Sequence, residues 1–340
     1  MTFNRRRFLS LSLGSASAFA AGGLAWRGFD RTSSEDAVTR RARALGSDVS
    51  MTVMGLPTDQ AVRALDAAFA ELELVEQVLS LYRPTSQLCQ LNHDRVLHQP
   101  HPYFLTVLAM AEQTSRQSDG AFDIPVQPLW ELFAASQKQG QLPSDSQLET
   151  ARACIDWRAV EFSSDQVRLR SPATSITLNG IAQGFAADRA IAVLRDHGVE
   201  HALVNSGEVG CLGRKPDGSD WTVGVQHPRE PDAYVSLAAL QGRSLATSGD
   251  YETTFSTDFS RNHIFDPTTG HSPSELASVS IAAPTAMQAD ALSTAAMVMG
   301  ADRTLALIGS LTNVDALMVL KQGRVVRSQG FLAIDESQNS

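Results

Sequence analysis

Asp290, Ser293 and Thr294 lie in the run MQADALSTAAMVMG, at helical spacings i, i+3 and i+4, among residues that are otherwise apolar. Residues four apart share one helix face, so Asp290 and Thr294 point the same way with Ser293 beside them. Three oxygens on one face suit a hard cation such as Mg²⁺, which would offset the cost of burying a carboxylate. The same residues also suit a capping cluster, with Asp290 accepting backbone N–H groups and the hydroxyls bonding back into the helix. The stretch alone leaves both readings open.

A second motif, Asn179-Gly180-Ile181-Ala182-Gln183-Gly184, reads as a glycine-rich turn running into a helix. Glycines allow close backbone approach, and a helix N-terminus favours anions. No Gly-Lys-Ser/Thr follows, and no G-x-G-x-x-G is present, so neither common nucleotide loop applies. An ordinary strand-to-helix turn is the alternative. His263 is the only histidine in the polar run from Ser248 to Gly270. It can serve as a general base for a hydroxyl or be an exposed loop residue. Asp123, after the Asp119-Gly120 turn, can bind a ligand or cap that turn.

These residues need a sizeable scaffold, and the chain has 340 residues, 43% hydrophobic and 19% charged. That composition supports one large globular body. A net charge of −9 with no basic run beyond the N-terminus excludes a nucleic-acid footprint. Cys89, Cys154 and Cys211 are widely spaced and form neither a C-x-x-C nor a disulfide framework. The first 25 residues read differently. Arg5-Arg6-x-Phe8-Leu9 precedes a mildly apolar, Ser/Gly/Ala-rich stretch, the pattern of a twin-arginine export signal. Its apolar part is short for a stable membrane span, so the expectation is a periplasmic protein, with an uncleaved signal as the membrane-associated alternative. Residues 26–43 read as a polar linker and 44–335 as the folded domain.

Within that domain, residues 47–54 alternate as a strand. Residues 60–81 carry apolar positions at helical spacing after a Thr58-Asp59 cap. A second amphipathic helix over 103–118 stops at Asp119-Gly120. Residues 137–146 read as a surface loop, and 160–169 and 175–178 as strands. The Gly180 turn opens a helix ending near Val199. Short strands follow at 202–205, 221–225, 235–240 and 244–246, with Ser248-Gly249-Asp250 as a turn. A strand at 279–283 leads into the helix of Asp290. Residues 314–319 and 325–328 form a closing hairpin. Helices and strands interleave without a βαβ period, which predicts a mixed α+β domain.

Taken together and in order, LSLYRPTSQLCQLN, SDGAFDIPVQPLWELF, TLNGIAQGFAADRAIAVLRDHGV, LVNSGEVGCLG, ATSGDYETTF, NHIFDPTTG and PTAMQADALSTAAMVMG resemble the successive blocks of the ApbE family, the FAD:protein FMN transferases. The resemblance covers about residues 44–335. It implies an α+β, T-fold-like architecture: a compact two-lobed domain with mixed sheets and packed helices. It also implies Mg²⁺ as metal, FAD as substrate, and a partner protein whose threonine receives FMN as AMP leaves. By analogy that partner is a membrane electron-transfer subunit. Carried over by motif, Asp290, Thr294 and the Ala182 carbonyl hold the metal, with Ser293 beside them. FAD lies near Leu45, Tyr82, Ala121, Phe122, Asp123, Asn179, Phe185 and the backbone around Phe265, and His263 takes the catalytic position. Two departures stand out. Gln183 replaces the family's usual lysine, and Ser206-Gly207-Glu208 replaces its usual Gly-Gly-Asp. They keep two alternatives in view, a flavin-delivery protein with little catalysis and an FAD pyrophosphatase.

Overall fold

The computed structural model describes residues 37–334, so the export-signal motif lies outside the described residues. Its first element corrects the expected linker. Residues 37–43 are not a linker but most of strand β1 (Ala37–Ala44), paired along its whole length with β2 (Ser47–Met54). The reason is the two-residue turn: Leu45 and Gly46 both take positive φ, 54° and 75°, the twist that closes a tight hairpin. A charged, half-exposed strand such as AVTRRARA has too weak an apolar alternation to be distinguished from linker by pattern.

β1 and β2 open an eight-stranded sheet of order β1-β2-β6-β7-β10-β11-β12-β13. The other strands are β6 (His201–Asn205), β7 (Val209–Leu212), β10 (Ser244–Gly249), β11 (Leu276–Ala283), β12 (Asp315–Leu320) and β13 (Val325–Arg327). The α+β class holds, but the sheets are not mixed in direction: every pairing among the described strands is antiparallel. Alternation along the central strands sends side chains to two cores. Val279, Ile281, Met318 and Ala246 face one, while Ala282, Leu317, Val319 and Leu245 face the other. The first core lies under α7 (Ala286–Met299) and α8 (Ala301–Ile308). The second is closed by Trp221 and by a small sheet of β14 (Ala333–Ile334), β9 (Tyr234–Ala239) and β8 (Thr222–Gln226).

The largest core gathers α1 (Thr58–Leu79), α2 (Gln87–Asp94), α3 (Pro102–Gln117) and α6 (Ala182–Asp196) against β2 and β6. The buried positions of α1, Ala61, Ala64, Leu65, Ala68, Leu72 and Val75, follow the helical stripe. Its N-cap is Pro57, with no side-chain cap, so the Thr58-Asp59 cap is not used. Residues 137–146 are only partly loop. α4 (Gln127–Lys138) enters them, and α5 (Asp145–Arg152) leaves them through a Ser144–Gln147 capping box.

Residues 160–169 split into β4 (Val160–Phe162) and β5 (Gln166–Leu169), which form a third sheet with β3 (Val96–His98). Residues 175–178 are not a strand. Asn92 replaces a strand partner there, its amide accepting from the Ile176 N–H and donating to the Ile176 carbonyl, both at 2.8 Å.

Candidate functional site

The site is built where α6 crosses α7. Gly184 donates its backbone N–H to Asp290 Oδ2 at 2.9 Å. A Cβ on Gly184 would stand 2.2 Å from the Ala286 carbonyl oxygen, and one on Gly180 would stand 2.7 Å from Thr294 Oγ1. The two glycines therefore let the 180–184 turn lie directly on the polar stripe of α7. Ala182, the first residue of α6, sits between them. Asp188, one turn beyond Gly184, accepts the N–H groups of Ala286 and Met287 at 2.8 and 2.9 Å.

Of the two readings of the Asp290 cluster, the capping one holds in part: Asp290 accepts the Gly184 N–H in the first turn of α6, and Ser293 bonds back to the Asp290 carbonyl. Thr285 caps α7 through Gln288 N–H, and Asp290 faces across to α6 instead. Asp290 is 3% exposed, and burial pushes its pKa up to about 7, against the lowering effect of the Gly184 N–H. A desolvated carboxyl beside a hydroxyl and a backbone turn is a hard-oxygen donor set, and such a set fits Mg²⁺. Among the described residues, no group of three or more His, Cys, Asp or Glu side chains is placed to hold a metal. The donors here are one carboxylate with neutral oxygens. Ser293 stands differently from its neighbours: its hydroxyl donates to the Asp290 carbonyl at 2.9 Å and meets Ser248 Oγ at 2.7 Å. Ser248 also reaches Thr294 Oγ1 at 3.3 Å. Ser293 thus braces Ser248 from within the helix.

Ser248 was expected in a turn. Ser248 and Gly249 instead end β10, opposite Val279 and Ser278 of β11. Asp250 beyond them is fully buried and takes both Arg229 guanidinium nitrogens, at 2.7 and 2.8 Å. Gln183 and Glu208 also meet the site. The Gln183 side chain lies over Gly207, whose φ of 104° and missing Cβ leave room for it. Ser206 Oγ donates to the Gln183 carbonyl at 3.1 Å. Glu208 is buried and accepts the Thr247 N–H at 3.0 Å. Burial first, then the nearby Asp290 and Glu252, hold its pKa well above the usual carboxylate range.

His263 closes a hairpin, its N–H donating to the Thr253 carbonyl at 3.0 Å. Its ring Nδ1 lies 3.3 Å from the same carbonyl oxygen. A carbonyl only accepts, so Nδ1 carries the hydrogen and Nε2 is the basic nitrogen. Burial lowers the His263 pKa, which favours the neutral ring.

The sequence profile of the ApbE family matches residues 45–318. The chain belongs to the ApbE family. A relative from Treponema pallidum, named FAD:protein FMN transferase, is 30% identical over 298 residues, covering 81% of this chain and 82% of its own. One of the same name from Salmonella typhimurium is 27% identical over 310 residues, covering 86% and 87%. Among solved structures, the ApbE protein of Thermotoga maritima superposes with a TM-score of 0.78 at 29% identity, covering 86% of this chain and 97% of its own. The flavinyl transferase ApbE of Pseudomonas stutzeri, in apo form, gives 0.74 at 29% identity, covering 86% and 94%.

The positions that the ApbE resemblance assigns to FAD fall in two groups. The first surrounds the turn. Asn179 Nδ2 donates to the Tyr82 hydroxyl at 3.3 Å, and Tyr82 is 67% exposed. Leu45 donates its N–H to Glu76, and Glu76 also takes Arg83, the neighbour of Tyr82. Ala121, Phe122 and Asp123 are buried, and the next residue, Ile124, accepts at its carbonyl the N–H of Thr177, two residues before Asn179, at 2.9 Å. Asp123 Oδ2 accepts the Trp157 N–H at 3.0 Å, Oδ1 has no partner, and burial raises the pKa to about 7.

The second group is packed away. Phe185 is 4% exposed and meets Tyr103 edge-on at 5.3 Å. Phe265 is stacked among Phe133 and Phe255. Both rings belong to hydrophobic cores, so neither side chain is presented to a ligand. A separate cavity of about 480 Å³, lined by Gln241, Arg243, Asn313 and Asp315 among others, includes none of the site residues. Sequence reasoning missed Asp188, and it placed Ser248 in a turn. Asp188 had a legible signal, since it follows Gly184 by four residues in the same helix.

Proposed function

We propose that this chain transfers FMN from FAD to a threonine hydroxyl of a partner protein, releasing AMP, with Mg²⁺ held at the α6–α7 crossing. The observation that carries this reading is the convergence of Asp290 and Thr294 on the glycine turn in a chain of the ApbE family. The curated relatives bear the name FAD:protein FMN transferase. Asp290, Thr294 and the Ala182 carbonyl are the residues that would hold the metal. Mg²⁺ bound there would neutralise charge on the pyrophosphate.

The protein's own groups account for the rest. Tyr82 and Asn179 form an exposed aromatic and amide edge suited to a flat flavin. His263 Nε2 accepts the proton of the acceptor threonine. The threonine oxygen then bonds to the FMN phosphorus as the phosphorus–oxygen bond to AMP breaks. AMP leaves as a phosphate monoester. An unactivated hydroxyl is a poor nucleophile, so the neutral imidazole is what makes threonine competent. The twin-arginine motif supports a periplasmic setting, and family analogy supports a flavinylated membrane electron-transfer subunit as acceptor.

The test is direct. The protein is mixed with FAD, Mg²⁺ and a threonine-containing acceptor peptide, and mass spectrometry looks for the FMN adduct. FMN and AMP without an adduct would identify a pyrophosphatase. Unchanged FAD bound to the protein would identify a delivery protein.

A further inference from the structure

The start of α7 is held by a residue of another helix. An α-helix leaves its first N–H groups without partners inside the helix. In α7 Thr285 supplies one acceptor, Oγ1 taking the Gln288 N–H at 3.2 Å. The N–H groups of Ala286 and Met287 go to the two carboxylate oxygens of Asp188 on α6, at 2.8 and 2.9 Å. Asp188 makes no ion pair among the described residues, so its carboxylate is given over to those two donors.

The position of this clamp is what matters. Asp188 lies four residues after Gly184, on the same face of α6. Ala286 lies four residues before Asp290, on the same face of α7. Gly184 to Asp290 and Asp188 to Ala286 are therefore two rungs, one helical turn apart, between the same pair of helices. One rung sets a single point of contact, and packing against two cores limits coarse movement of α7 without fixing its register on α6. Two rungs fix both rotation and translation. A slip of one residue would turn Asp290 by about 100° and move it about 1.5 Å along the axis. Ser293 and Thr294 would swing with it, away from Gly180 and Ser248.

We propose that Asp188 is a positioning residue for the metal site: it sets the register of α7 on α6 so that Asp290 and Thr294 meet the Ala182 turn. The inference rests on the metal reading of that crossing. The Asp188 carboxylate contacts the Ala286 and Met287 N–H groups and is not one of the residues assigned to the metal. Its effect is exerted through the first turn of α7.

Calorimetric titration of Mg²⁺ into the full chain tests this, with FAD binding followed separately by flavin fluorescence in the absence of metal. Asp188→Asn keeps the shape but turns one acceptor into a donor facing an N–H. Its Mg²⁺ Kd should rise tenfold or more, on the scale expected of an outer contact that orients a ligand, while metal-free FAD binding stays unchanged. Thr285→Ala removes a cap from the same helix end without touching α6. It should lower thermal stability and leave the Mg²⁺ Kd as it was. Should Asp188→Asn fail to fold, Asp188→Glu keeps the charge but lengthens the rung, and its Mg²⁺ Kd should also rise. Wild-type Mg²⁺ affinity in the folded Asp188 variant would overturn the proposal, as would equal weakening by Thr285→Ala. Asp290→Ala separates the two levels: if it too kept wild-type Mg²⁺ affinity, the metal reading itself would fall.

Discussion

Gly184 and Asp290 touch through a single hydrogen bond of 2.9 Å, with only 2.8 Å between the Asp290 Cβ and the place where a Gly184 side chain would begin. Two helices approach this closely only where one of them has no side chain. The contact carries the carboxylate to the turn, and it can be tested by adding one methyl group.

Gly184→Ala should raise helix propensity by roughly 1 kcal/mol. It also forces a Cβ to 2.2 Å from the Ala286 carbonyl oxygen. Overpacking of a tight contact costs roughly 1–3 kcal/mol, so the steric term wins. The expected outcome is net destabilisation in urea unfolding and loss of Mg²⁺-dependent transfer. A variant as stable and active as wild type would show that the helices can part freely.

Asp290→Ala should abolish Mg²⁺-dependent transfer and leave the fold intact. Burial already disfavours the charged carboxyl, raising its pKa to about 7, so its removal relieves a desolvation cost. Activity against Mg²⁺ concentration, together with a thermal melt, checks both halves. Full activity in the variant would remove Asp290 from the site.

His263→Ala should lower transfer by ~10²-fold or more, the scale of a lost general base. FAD binding should change far less. Burial lowers the His263 pKa below its ordinary 6.5. The base works only when neutral, so transfer should rise with pH through that lowered value and be level by neutral pH. A rate that still climbs between pH 7 and 8 would assign the limiting ionisation to another group, with the buried Asp290, raised to about 7, the first to examine.

Replacing Arg5 and Arg6 by Lys should leave the protein in the cytoplasm. Fractionation checks this against a strain lacking twin-arginine export. Periplasmic recovery from that strain would point to a different route.

Much of the site was legible in the sequence because its parts are short and local. Asp290 and Thr294 share a helix face by spacing alone, and two glycines four apart mark a close approach. What approaches them was not legible. Nothing in ATSGDYETTF says that Ser248 ends a strand beside α7, or that Asp250 pairs with Arg229 from a distant loop. Long-range partners of this kind leave no periodic trace. The same holds for β1, whose arginines conceal a strand, and for residues 175–178, where one asparagine side chain replaces a neighbouring strand.

The composition of α7 bears on how substrate can enter. Ala286, Ala291 and Ala295 belong to the largest core, while Ala289, Leu292, Ala296 and Met297 belong to the core under the central strands. The polar stripe runs along the seam between them. A helix shared by two cores is not a hinge, because swinging it would strip apolar surface from one side or the other. The crossing therefore acts as a fixed anvil. Whatever adjustment substrate entry needs has to come from the turns around the crossing rather than from the crossing itself.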